Sequence, residues 1–128
     1  MKFDIPKVLR PLSLAEYGAE YAEAVIQVWV NPPRAKVQEY LDILRQVADP
    51  DEKIDLEQLG GEVSEWLSEI WSQGEPDTHW PPEEVSQLYQ ACVDRDPLLW
   101  QYISGQTWGM ILEYRTSLKK ASRLVSTS

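Results

Sequence analysis

Few side chains in this 128-residue sequence suit covalent or acid–base chemistry at neutral pH. There is one histidine, His79, and one cysteine, Cys92. A thiolate becomes a nucleophile where neighbouring positive charge lowers its pKa. Cys92 instead falls on the apolar stripe of a helix in an acidic segment, which favours an inert, buried thiol. His79 has Glu75, Asp77, Glu83 and Glu84 close by in sequence, so a carboxylate–histidine pair is one reading. Protein zinc sites need three or four ligands at spacings such as H-E-x-x-H, and the sequence holds no such pattern. His79 is therefore expected on the surface or at the start of a helix. Glu65 and Glu69 stand four residues apart, a spacing that could serve acid–base work or a divalent cation. Paired carboxylates catalyse in a cleft that separates their pKa values. Because Trp66 and Ile70 take the buried stripe of the same helix, the two glutamates are expected to face water. There is no calcium-binding loop, phosphate-binding glycine loop or nucleophile elbow. No catalytic residue, metal or cofactor is expected.

What the chain has in quantity is aromatic surface. Trp29, Trp66, Trp71, Trp80, Trp100 and Trp108 give six indoles, and tryptophan and tyrosine dominate buried anchors at interfaces. This favours a protein that holds something over one that converts something. Trp66, Trp100 and Trp108 occupy helical positions where core packing is the default. Trp29, in a strand, and Trp80, before Pro81-Pro82, are less determined. Trp29, Trp66, Trp71 and Trp80 are the candidate partner-binding residues.

The formal net charge of −9 is unevenly spread. Fourteen acids lie between Asp49 and Asp96, opposed by Lys53 and Arg95 alone, whereas Arg115, Lys119, Lys120 and Arg123 face only Glu113 near the C-terminus. Nucleic-acid binding uses a basic face that displaces counterions from phosphate, so direct binding is not expected. The acidity reads first as a solubilising surface, and second as a face for a basic protein partner or a mimic of nucleic acid. A lone cysteine cannot form an internal disulfide and fits a reducing compartment. No apolar run is long enough to span a membrane, and Met1-Lys2-Phe3-Asp4-Ile5-Pro6 lacks the apolar character of a signal peptide. A soluble, cytoplasmic protein is expected.

These residues must be positioned by a small set of elements. Ala24-Val25-Ile26-Gln27-Val28-Trp29-Val30, closed by Asn31-Pro32-Pro33, is the clearest strand, with a partner expected from residues 8–16. After Asn31 the pattern is helical. Asn31 would cap a first helix whose face is Val37, Tyr40, Leu41, Leu44 and Val47. A polar connection closed by Gly60-Gly61 would lead to a second helix bearing Val63, Trp66, Leu67 and Ile70, with Trp71 beside the stripe, stopped at Gly74-Glu75-Pro76-Asp77. Pro81-Pro82-Glu83-Glu84 opens a third helix with Val85, Leu88, Tyr89 and Cys92 on its face. Asp96 caps a fourth with Trp100, Ile103, Met110 or Ile111, Tyr114 and Leu118. Gly105 would allow a kink, and Lys119 and Lys120 suit the helix end. The expected fold class is α+β, mostly α: a short N-terminal β-hairpin or small sheet followed by about four helices. The chain reads as one domain, 1–128, with a strand-bearing region 1–31, a helical body 32–122 and a flexible tail 123–128.

This layout resembles the small acidic tail assembly chaperones of long-tailed bacteriophages. The likeness rests on Ile26-Gln27-Val28-Trp29-Val30-Asn31-Pro32 leading into the 34–47 helix, followed by acidic, tryptophan-bearing helices through Tyr114. It covers most of the chain as an arrangement and involves no diagnostic motif. It implies a non-enzymatic protein that binds the tape measure protein, keeps its hydrophobic helices soluble and assists tail tube assembly. Many members of that family are made in two lengths by a ribosomal frameshift, with which Leu118-Lys119-Lys120 is compatible. On that resemblance the partner is a tape measure or tail tube protein. The alternative is an acidic adaptor or nucleic-acid mimic bound to a basic protein. Self-association through the strand bearing Trp29 is a further expectation.

Overall fold

The structure, a computed structural model, describes residues 5–49, 51, 53, 55–73 and 78–126, with all their side chains except those of Leu56 and 118–126. Strand β1 (Leu9–Ser13) and strand β2 (Val25–Trp29) pair antiparallel with Leu9 opposite Trp29 and Leu12 opposite Ile26. Ile26, Val28 and Val30 alternate toward the core and are buried, as a strand with one covered face requires. Helices α1 (Arg34–Ala48) and α2 (Leu56–Ile70) follow, then strand β3 (Trp71–Ser72) and helices α3 (Pro82–Arg95) and α4 (Pro97–Ser126). The fold is α+β and mostly α, a small antiparallel sheet with four helices.

The sheet has a third member that the sequence pattern did not announce. Strand β3 pairs antiparallel with β2, Val28 opposite Trp71 and Gln27 opposite Ser72, giving the order β1-β2-β3. Helix α2 ends because Trp71 takes an extended conformation (φ −87°, ψ 135°) while its N–H still donates to Leu67 O. The chain then doubles back. Trp80 N donates to Trp71 O at 3.1 Å, Gln73 N to Thr78 O at 3.0 Å, and His79 bridges to Ser72. Trp71 is thus a sheet residue, not a position beside the α2 stripe. The expected stop at 74–77 lies outside the described residues.

Several other expectations are corrected. Asn31 does not cap α1, whose N-cap is Pro33. Its side chain instead clamps the segment ahead of β1, accepting from Val8 N at 2.7 Å and donating to Pro6 O at 3.1 Å. Gly60 and Gly61 are not a boundary. Asp55 caps α2 by accepting from Glu57 N and Gln58 N at 3.1 and 3.3 Å, and the helix runs through both glycines. A Cβ at Gly60 would stand 2.3 Å from the Tyr89 ring, so this glycine is there to let α3 approach. Helix α4 continues through Gly105 and Gly109 to Ser126, past the expected start of the tail at Arg123. Asp96 does cap it, accepting from Leu99 N at 3.3 Å. Leu118, Lys119, Lys120 and Arg123 have side chains outside the description, as are Thr127 and Ser128.

The core lies where the sheet, α2, α3 and the first half of α4 meet. Val28, Leu67, Ile70, Trp71, Val85, Ile103, Thr107 and Ile111 have no exposed surface. Helix α1 closes one side through Val37, Tyr40 and Ile43, with Tyr40 packed 4.5 Å from the Trp66 ring and 4.7 Å from Trp108. The α1 stripe outlasts its partner: Leu44 and Val47, expected in the core, are exposed.

Gly60→Ala is expected to destabilise the fold by ~1–3 kcal/mol, the usual cost of forcing extra volume into a packed contact. Gly109→Ala, whose Cβ meets nothing within 4 Å, is expected to stabilise it by up to about 1 kcal/mol. Urea unfolding of the two variants checks both signs.

Candidate functional site

The tryptophans of the expected partner surface divide sharply once placed. Trp71 is fully buried; its Nε1 donates to Thr107 Oγ1 at 3.1 Å, and Thr107 passes the bond on to Ile103 O at 2.8 Å. Trp66 is 3% exposed and donates from Nε1 to Lys36 O at 2.7 Å, locking α2 to α1. Neither presents a face to a partner in this fold, so both are withdrawn from the candidate surface. The physical reason is the same for each: burying an indole that also satisfies its N–H gains apolar area with no polar cost. Trp80 is half-buried, donating from Nε1 to Ser72 O at 3.2 Å and standing edge-on to Trp71. Trp29 lies half-buried with Lys7 Nζ 4.3 Å from its ring centroid, a cation–π contact. Its Nε1 is enclosed and has no partner among the described residues.

The residues considered for chemistry are not brought together. His79 is exposed and bridges to Ser72, and the Glu75 and Asp77 proposed as its neighbours lie outside the described residues. Cys92 is buried, and its thiol pKa is raised by burial first and by nearby Asp96 second. That shift disfavours the nucleophilic thiolate. Glu65 and Glu69 are exposed, as expected, and Glu69 pairs with Lys36. Among the described residues no cluster of three or more His, Cys, Asp or Glu is arranged to hold a metal ion, and no helix is long and apolar enough to cross a membrane.

Among the described residues, two open grooves bear on binding. One, of about 410 Å³, runs between α1 and α2 and is walled by Glu39, Asp42, Glu62, Glu65 and Glu69 against Lys36, over Ile43 and Trp66. The other, of about 800 Å³, is predominantly apolar. Its walls are Ile5, the Asn31-Pro32-Pro33 corner ahead of α1, and Leu112, Tyr114, Arg115 and Thr116 on α4. The chain builds it because two prolines cannot pair in a ladder or hydrogen-bond from their nitrogens, while α4 extends past the core that buries Ile103 and Ile111. Leu112 is 42% exposed and Ile5 80%. The sequence did carry a signal for this site: Leu112 is off the Trp100–Ile103–Ile111–Tyr114 stripe and so points away from the core. Trp29 and Lys7 adjoin the groove along the chain, two residues from Asn31 and Ile5 respectively.

A separate polar tie fixes the loop between β1 and β2. Tyr17 Oη donates to Asp96 Oδ1 at 2.7 Å, joining this loop to the α3–α4 junction, and the Tyr17 ring lies 5.2 Å from that of Tyr102. The hydrogen bond to the carboxylate, with burial and the Asp96 charge behind it, pushes the Tyr17 pKa up to about 12.

No protein-family model, curated protein or solved structure matches this chain.

Two measurements check this geometry. Because the folded-state pKa of Tyr17 is raised from 10.0 to about 12, its contribution to stability is complete below pH 10 and is lost as pH climbs through 12. Ultraviolet titration should show a late-ionising tyrosine that Tyr17→Phe removes. Thr107→Val keeps the shape but strands the Trp71 indole N–H, and should cost ~1–3 kcal/mol in chemical denaturation.

Proposed function

We propose that this chain is a non-enzymatic binding protein that holds an apolar helical segment of a larger protein. In the form implied by its layout, it is a tail assembly chaperone of a long-tailed bacteriophage. It works in the host cytoplasm and shields the tape measure protein until the tail tube forms. The observation that carries the reading is the apolar groove between the Asn31-Pro32-Pro33 corner and α4. An amphipathic helix docks by laying a few side chains, spaced three and four residues apart, into such a trough. Leu112, Ile5 and Pro33 supply exposed apolar contact there, with buried Pro32 and half-buried Tyr114 at the wall. The net charge of −9 keeps a protein with such a surface soluble and disfavours its own aggregation. Trp29, backed by Lys7, extends the contact region along the chain, and Trp80 supports it only indirectly through the core.

The second reading, an acidic adaptor or mimic of nucleic acid, draws on the α1–α2 groove, whose carboxylates outnumber its single lysine. The two readings differ in their response to salt. Apolar burial is insensitive to ionic strength, while a carboxylate-dominated contact is screened within about 8 Å at physiological salt.

Co-expression of the tagged chain with its native neighbouring genes separates the two. The expected result is co-purification of a long, helix-rich protein that survives high salt. Leu112→Glu, on an exposed position, should cut the recovered partner about tenfold or more by placing a charge in the apolar contact. A partner that is basic, released at moderate salt, and indifferent to Leu112→Glu but lost on reversing Glu62 and Glu65 would replace the chaperone by the mimic.

A further inference from the structure

The groove that the proposed function assigns to a client is open, and the charge distribution of the chain selects what covers it when no client is present. Its apolar walls carry positive charge. Arg115 lines the groove and Arg34 directly follows Pro33, with Glu113 the nearby acid on α4. The opposite end of α1 is the inverse. Leu44 and Val47, one helical turn apart, are 38% and 47% exposed. Asp42, Asp49, Asp51 and Asp55 surround them in sequence and outnumber Arg45 and Lys53, and Arg45 is already drawn to Asp42 at 3.7 Å.

An exposed apolar pair in an acidic setting and its complement, an apolar groove bearing Arg115, are thus present on the same molecule. The two cannot meet within one chain. They sit at opposite ends of α1, and a helix rising 1.5 Å per residue keeps them about 20 Å apart.

We propose that the groove is occupied at rest by the Leu44–Val47 end of α1 from a second copy of this chain. The contact joins different patches on the two molecules and is heterologous. It buries the surface that would otherwise be exposed without client, and a client helix must displace it. Self-association and client binding therefore compete. The inference builds on the proposed function only in taking the groove as a docking surface.

The test uses the full chain with no client present. Sedimentation velocity from low to high micromolar concentration at low ionic strength should show reversible association that weakens as salt rises. Val47→Asp and Arg115→Glu change exposed residues at the two patches. Each should leave the circular dichroism spectrum unchanged and weaken association about tenfold or more, Val47→Asp by losing one buried valine side chain and Arg115→Glu by setting like charges against each other. The decisive measurement is their equimolar mixture. The Val47→Asp chain keeps an intact groove and the Arg115→Glu chain an intact α1 end, so association should return. A chain that is monomeric at every concentration, variants that associate as the parent does, or a mixture that stays apart would each overturn the proposal. None of these results bears on whether a helical client is recovered by co-purification, so the two proposals fail separately.

Discussion

The fold depends on how one indole is buried. Trp71 stands where α2 gives way to β3, and the sheet, the returning chain and α4 all meet it. Its backbone completes the sheet opposite Val28. Its carbonyl receives the returning chain at Trp80, its ring meets those of Trp80 and Trp100, and its N–H ends on Thr107 in α4. An indole this deep needs a hydrogen-bond acceptor, because an orphaned buried donor costs more than a made bond returns. Thr107 supplies it through Oγ1, which donates its own hydrogen back to Ile103 O within α4. The helix-to-strand switch, the position of α4 and the closing of the sheet are thus consequences of satisfying one side chain.

That constraint decides where the aromatic surface goes. Trp66, Trp71 and Trp108, with Tyr40, are drawn inward to join helices to one another and to the sheet. What is left outside is smaller and more specific: a proline corner, the outward side of α4 and the Trp29–Lys7 pair. The acids lie chiefly outside α4. Stability in this fold rests on aromatics, whereas the surface proposed for binding rests on aliphatic side chains and local charge.

Much of this was legible in the sequence. The β-branched run through Val28 and the Asn31-Pro32-Pro33 stop dictated β2. The spacing of apolar residues gave the four helices, and Asp96 was identifiable as a cap because it precedes a proline and an apolar run. Other features were not legible, for physical reasons. Strand β3 is two residues long and is held by pairing to β2 and by tertiary burial, neither of which leaves a periodicity. Gly60 reads as a turn until Tyr89 is seen against it. Asn31 has the chemistry of a cap, but competition from the backbone of residues 6 and 8 takes its side chain elsewhere. Of the four tryptophans assigned to a partner, Trp66 reads as a core position by default, but nothing in the sequence separates Trp71 from Trp29 and Trp80. Their roles differ because hydrogen-bond partners for the indole, such as Thr107 and Lys36 O, come from distant parts of the chain.

The groove at Pro33 and Leu112 is the surface proposed for binding, and the tryptophan core is no part of it. The most direct measurement is a nuclear magnetic resonance titration of the labelled chain with an apolar helical peptide from the co-purified partner, following backbone and indole N–H signals together. The account predicts that Ile5, Asn31, Leu112, Arg115 and Thr116 shift while the indole signals of Trp66 and Trp71 stay in place. Displacement of the Trp66 and Trp71 indoles with no change along α4 would contradict it.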